Sequence, residues 1–533
     1  MKSMTTIHSQ AQVEWLHLSA TEMARQIAAG HLSSLELTEA HIARIEAVNP
    51  KLNAVVVPMF SEARSAAAAV DAARDRGEPL GPLGGVPITI KECFYVAGTA
   101  ATEGVARYAG EIMADDSPLV ARLRRAGAVI LGKTNLPQLM LMHETDNPLY
   151  GLTCNPWNLE RAPGGSSGGE AAIIAAGGSP LGLGNDIGGS IRNPAHACGI
   201  CGIKPTTRRL TNAGTRDNMR GMEAIVPQPG PLARRVEDLY PALSALNTLV
   251  EGEIDPQAVP APLLNPAEVA VDKLRIGTWT DDGVFAASPA VVRAVEAAAE
   301  ALASLGAQVE PFAPPDMSLA VRLYFRLLSA DGAADARRIL GPGPVDWRLR
   351  RMILMGRAPR LVRKVLQAMS RLGGQARTAE LLDMTGPSST DGYWQLCRAQ
   401  AEYAANFFAA WDRAGLDALL CPPSALPALR HGGMAHLPLA GSYGYWANLL
   451  GVPAGVVPVT RVRPGEERSR PASRDIVERA AAEVDSGSAG LPVGVQVAGR
   501  PWREDVVLAV MQAIELQASS KDDDYPHTPV DVA

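Results

Sequence analysis

From Gly164 to Arg192 the chain reads GGSSGGEAAIIAAGGSPLGLGNDIGGSIR, and this stretch limits the possible folds more than any other. Ser166 and Ser167 stand between paired glycines, and Ser190 follows Asp186-Ile187-Gly188-Gly189, 24 residues after Ser166. Glycines let a backbone take positive φ and approach a ligand closely, at an entropic cost. Between the two loops lies the apolar run Ala171 to Ala176. The pattern predicts two polar loops meeting at one end of a buried helix, which makes an active site if a base can be found.

The surrounding chain can supply the core that such a helix needs. Of 533 residues, 47% are hydrophobic and 20% charged, too apolar for a disordered protein. The net charge of −6 argues against a broadly basic surface, so no nucleic-acid partner is expected. Six cysteines scattered through so long a chain do not resemble a disulfide framework and point to a reducing compartment. The N-terminus lacks the apolar core of a signal peptide, and no run of about 18 apolar residues appears. A cytoplasmic location is the expectation.

Helix and strand signals alternate along the chain, which favours an α/β fold. Ser33 to Glu36 reads as a capping box before a helix ending at Asn49-Pro50, and residues 61–77 continue helical. Val86 to Ile90 reads as a short buried strand, Leu119 to Ala126 as helix, Val129 to Gly132 as strand, and Leu136 to Met142 as helix or buried loop. Leu274 to Gly277 is a strand candidate, with an amphipathic helix over Ser288 to Leu305. Late strand signals at Asp417 to Pro423, Leu450 to Thr460 and Leu491 to Ala498 should return to the same sheet, around a charged insertion at 464–490. The tail from Ser519 is polar and reads as loose.

Lys91 stands at the end of the first apolar strand. On its own it reads as a solvated strand terminus. A lysine drawn inward there would lose proton affinity by several units, and a neutral amine is a general base. Three readings of the serines compete. A phosphate loop lacks its G-x-x-x-x-G-K-[ST] pattern. A hydrolase elbow is formally matched by Gly164 to Gly168, but Asn155 to Pro163 reads as loop where that motif needs a strand. The third reading takes Lys91 as base, Ser166 as proton relay and Ser190 as nucleophile. Backbone N–H groups of Ile187, Gly188, Gly189 and Ser190 then form an oxyanion hole.

Two further features stand apart. Cys198-Gly-Ile-Cys201 has no second pair at zinc spacing, so no metal is assigned to it. Residues 348–371 hold seven arginines, one lysine and no acid, interleaved with apolar residues, and Pro359 divides them into two short helices. Such a pair can lie in a membrane interface or close over an apolar substrate mouth; it can equally be a surface element with long snorkelling side chains.

The blocks GVPITIKE, APGGSSGGEAA, GNDIGGSIRNPA and CGIKPT, in that order and spacing, resemble the amidase signature family. NPLYGLTCNPWN, PAGVVPVT and LPVGVQV are similar to its fatty acid amide hydrolase branch. The resemblance implies a single large α/β/α domain over 16–517, with a central mixed β-sheet flanked by helices and polar extensions at 1–15 and 518–533. It implies a catalytic Ser190, Ser166 and Lys91, a cis Gly165-Ser166 bond, Met140 against the substrate, and Asp186 and Arg192 supporting the loop. No cofactor or metal enters. The implied reaction is hydrolysis of hydrophobic fatty-acyl or aryl amides through an acyl-enzyme. Carbamate or ester hydrolysis, or a glutamine-hydrolysing amidotransferase subunit, are the alternatives. The substrate is a small molecule; a homodimer and peripheral membrane contact through 348–371 are further expectations. Asn185, where most members have Thr, and Arg208-Arg209 depart from the pattern. His143 and His196 take structural roles on this reading.

Overall fold

The computed structural model describes residues 14–216, 219, 221–248, 255–468 and 470–532. Eleven strands form one sheet: β1 (Val55–Pro58), β2 (Pro87–Lys91), β3 (Val129–Thr134), β4 (Leu181–Asp186), β5 (Cys201–Lys204), β6 (Gln228–Ala233), β7 (Arg275–Thr278), β8 (Gln308–Pro311), β9 (Ala418–Cys421), β10 (Ala454–Arg461) and β11 (Pro492–Gly499). Their order is β1-β3-β2-β4-β6-β5-β10-β11-β9-β7-β8. The sheet is mixed. β2 runs parallel to β3 and β4, and β7 is parallel to β8 and β9. The pairs from β4 through β6, β5, β10 and β11 to β9 are antiparallel. The expected α/β architecture with a mixed central sheet is present.

Burial explains why its strands read as continuous apolar runs. Every residue of β2, β3, β4 and β11 is buried, the signature of strands covered on both faces. The helix Gly168–Ala175 is likewise buried at every position, and its Ala and Ile side chains pack in one apolar cluster with Ile42 and Ile45 of the helix Ser34–Leu52. A second cluster, holding Phe407, Trp411 and Trp446, is built largely from the buried faces of helices in the region 317–414 and from Tyr443, Tyr445 and Trp446.

Several local expectations need correction. The capping Ser33 accepts the Glu36 N–H, but its helix runs through Asn49-Pro50 to Leu52. Pro50 lies in the last turn, Asn53 ends the helix in the left-handed conformation, and the Asn49 side-chain Oδ1 accepts the Ala54 and Val55 N–H groups. The charged 464–490 insertion, to which the sequence assigns no element, carries the helix Ile476–Asp485. The tail is not loose: the last helix continues to Lys521, Tyr525 is buried, and the Val530 N–H donates to Ala175 O. Residues 1–13 of the N-terminal extension lie outside the described residues. Pro359 does separate two helices, Trp347–Arg357 and Arg360–Leu372. No helix among the described residues is long and apolar enough to cross a membrane.

Candidate active site

Three neighbouring pieces of the sheet's first half deliver the site. β2 ends at Lys91, β4 ends at Asn185 and Asp186, and the turn before the buried helix carries Ser166. Lys91 has no exposed surface, and its Nζ lies 2.7 Å from Ser166 Oγ and 2.7 Å from Asn185 Oδ1. Burial lowers the lysine to about 8, against the opposing fields of Cys93, Asp186, Glu103 and Glu170. An amine so placed is neutral in a far larger fraction near physiological pH than a solvated lysine, and in that form it can take a proton from a hydroxyl. The Gly165-Ser166 peptide is cis. Gly165 admits no side chain, because an added Cβ would stand 2.5 Å from Glu144 O.

Ser190 joins this group through the backbone. Its carbonyl accepts the Ser167 N–H at 3.1 Å, which ties the two serine loops together, as their flanking glycines predicted. Ser166 and Ser190 are both buried, yet both face one small recess shared with Asn185, Asn212 and Thr215.

The 186–192 loop is held by a buried ion pair. Arg192, the first residue of the helix Arg192–Cys198, places Nη2 3.0 Å from Asp186 Oδ1 and Nε 3.0 Å from Asp186 Oδ2. The guanidinium also donates to Gln496, Asn448 and Gly444 O, so few of its donors lack a partner. Burial alone pushes the Asp186 carboxyl up, but Arg192 and the surrounding donors outweigh it and hold it well below the usual range. Asp186 accepts the N–H groups of Gly189 and Ile191 at 2.8 and 3.1 Å. Gly189 sits at φ 108°, a conformation that favours glycine and turns the loop. Its N–H is thereby committed to Asp186.

Ser190 also opens onto a much larger space. A cavity of about 870 Å³ is bordered by Met140, Ile187, Gly188, Ser190, Tyr324 and Met352 among others. Met140 closes a tight 3₁₀ turn, Gln138–Met140, in which Leu139 and Met140 both take positive φ. The segment 136–142 is therefore a buried turn and no α-helix. Tyr324 donates to Ile187 O and stacks on Tyr445 with ring centres 4.4 Å apart. His143 bonds Gly188 O through Nε2 at 2.9 Å, and burial pushes it down to about 4, so it is a neutral brace. His196 likewise bridges Leu426 O and the Gly494 N–H.

Sequence reading missed several of these contacts. Asn185 appeared only as a departure from a pattern, with no role. Tyr324 lies in a distant helix, Met317–Leu328, and carries no local signal. Arg348 looked like one of many surface cations, but it is buried in a cluster with Glu144, Asp146 and Asp346 that ties the 347–357 helix to the site loop. Among the described residues, no group of His, Cys, Asp and Glu side chains could hold a metal, and all six cysteines are free thiols.

A buried amine against one hydroxyl, beside a second hydroxyl at the mouth of an apolar cavity, is the equipment of a hydrolase that works through a serine. Comparison with known proteins narrows that class. The amidase family model matches residues 36–508. The chain is 34% identical over 505 residues to fatty-acid amide hydrolase 1 of Sus scrofa, covering 94% of this chain and 86% of that protein. It is similar in structure to a solved fatty acid amide hydrolase, with a TM-score of 0.83 at 26% identity over 96% of this chain and 87% of the other. A solved bacterial aryl acylamidase gives a TM-score of 0.71 at 25% identity, over 96% and 98% of the two chains. The chain belongs to the amidase family and is an amide-hydrolysing enzyme.

Proposed function

We propose that this enzyme hydrolyses hydrophobic small-molecule amides, fatty-acyl or aryl, with Ser190 as nucleophile, Ser166 as relay and Lys91 as base. The buried 2.7 Å contact between Lys91 and Ser166 carries the reading. Neutral Lys91 takes the Ser166 proton as Ser166 takes that of Ser190, and Ser190 Oγ bonds to the carbonyl carbon. The carbonyl π pair moves to oxygen and faces the loop amides. Because the Gly189 N–H is already used, the reading gives the oxyanion to the N–H groups of Ile187, Gly188 and Ser190, each donor worth about 3 kcal/mol in comparable sites. Collapse breaks the C–N bond, and the relay run backwards protonates the leaving amine. Water, activated by the same relay, then cleaves the acyl-enzyme to the acid.

The apolar cavity beside Ser190, bordered by Met140, supports a hydrophobic acyl or aryl group. It speaks against a glutamine head group, whose amide and charged α-groups need paired polar partners. Carbamates and esters remain substrates that the same residues could open. The helix Arg360–Leu372 supports peripheral contact with a membrane: Leu361, Val365, Met369 and Leu372 are exposed along it among Arg360, Lys364 and Arg371. On this reading 16–517 is the catalytic unit of a cytoplasmic, membrane-visiting enzyme, with 1–15 and 518–533 as extensions; a homodimer is compatible with it. Hydrolysis rates for a homologous series of primary acyl amides and a short aryl amide test the function. Turnover that grows with acyl length supports it, and turnover of glutamine alone overturns it.

A further inference from the structure

Asn185 touches both the base and the cavity wall. Its Oδ1 lies 2.7 Å from Lys91 Nζ, and its Nδ2 donates to Met140 Sδ at 3.7 Å. The side chain is buried and faces the recess that also holds Ser166 and Ser190. We propose that Asn185 is a positioning residue for the reaction, holding Lys91 with its lone pair toward Ser166 and linking that orientation to Met140 on the acyl-binding wall. The inference rests on the functional reading above.

The geometry leaves the amide one good orientation. A lysine offers N–H donors to every neighbour except the one its lone pair meets, so the group beside it must be an acceptor. Asn185 Oδ1 is that acceptor, and the weakly accepting thioether of Met140 takes the amide N–H on the other side. With Oδ1 accepting an N–H, the lone pair is kept off Asn185, and one of the two positions left to it faces Ser166 Oγ. A flipped amide would set N–H against N–H and push Nζ off the serine. Asparagine supplies this acceptor without charge. That matters because Lys91 already faces Asp186 from the end of β4 and Glu103 beyond the end of β2, whose charges favour its protonated form, while Glu170 of the buried helix and the Cys93 thiol add to this only when ionised, which burial opposes. A further carboxylate would leave the base occupied by its own proton.

The test measures the pH dependence of Ser190 labelling by a fluorophosphonate in wild type and in Asn185→Asp, Asn185→Ala and Asn185→Thr, with melting curves for each. Asn185→Asp is expected to move the acid limb of the labelling rate up by roughly 1–3 pH units, the effect of an adjacent opposite charge. Asn185→Ala is expected to lower the maximal labelling rate by roughly 10- to 100-fold with the half-saturating reagent concentration unchanged, as misplacement of a reacting group does. Asn185→Thr, which keeps an acceptor oxygen, is expected to recover most of that loss. The proposal is overturned if folded Asn185→Ala labels at the wild-type rate, or if folded Asn185→Asp keeps the wild-type limb. Wild-type protein that does not label at any pH would instead remove the functional reading, and this proposal with it.

Discussion

Lys91 and Ser166 lie 75 residues apart in the chain and meet at 2.7 Å in the interior. β2 brings one, the turn into the buried helix brings the other, and the packing of that helix against the sheet fixes their separation. A lysine that gives up its hydration to reach a serine hydroxyl loses proton affinity on the way. The consequences of that exchange can be measured.

Activity should follow deprotonation of Lys91. With the lysine lowered to about 8, kcat/KM is expected to rise about tenfold per pH unit below that value and to level off above it. A profile from pH 6 to 9 on a soluble amide checks this. A flat profile would show that no such base is used.

The same burial has a sign in stability. The folded lysine is depressed to about 8 from 10.5, so between those values the unfolded chain binds more protons than the native one, and stability rises with pH across the window. Relative to Lys91→Met, wild type is expected to gain about 3 kcal/mol between pH 8 and 10.5, and no further change below pH 8. Denaturant unfolding of both proteins at a series of pH values measures the difference. A constant difference would mean that Lys91 titrates like a solvated lysine.

Arg192→Leu should be severe. It leaves Asp186 charged, buried and without its guanidinium, a loss of roughly 3–5 kcal/mol for a broken buried pair. The loop amides that Asp186 arranges would lose their placement as well. A melting temperature within a degree or two of wild type would refute the assigned support.

The exposed face of the helix Arg360–Leu372 makes a separable prediction. Leu361 is 73% and Leu372 90% exposed, so replacing both with Asp costs little folding energy. Sedimentation with anionic lipid vesicles is expected to fall several-fold, with kcat on a short soluble amide unchanged. Equal sedimentation of variant and wild type would leave the helix as an ordinary surface element.

How far the chain could be read beforehand depended on the range of the interactions. β2, β3, β11 and the buried helix were legible because burial on both faces leaves largely apolar runs, whereas the Gly-rich β4 carried no such signal. The break at Pro359 and the cap at Ser33 were legible because they are local backbone chemistry. The meeting of the two serine loops followed from their glycines and spacing. Asn185 was not legible as a partner of Lys91, because nothing in a strand's own residues says which side chain from the neighbouring strand will face it. Arg348 was hidden for a similar reason: its acids Glu144 and Asp146 lie 204 and 202 residues away in the chain, and only the fold joins them. The tail from Ser519 looked loose because its composition is polar, yet Pro529 packs on Gly177 and Tyr525 is buried.

The measurement that tests the central claim most directly is intact-mass spectrometry after fluorophosphonate treatment of wild type, Ser190→Ala and Ser166→Ala, at a pH above 8. Wild type is expected to gain a single adduct, Ser190→Ala none, and Ser166→Ala the same adduct far more slowly, because the nucleophile is present and its proton path is cut. Persistent labelling of Ser190→Ala together with none on Ser166→Ala would contradict the assignment and make Ser166 the nucleophile.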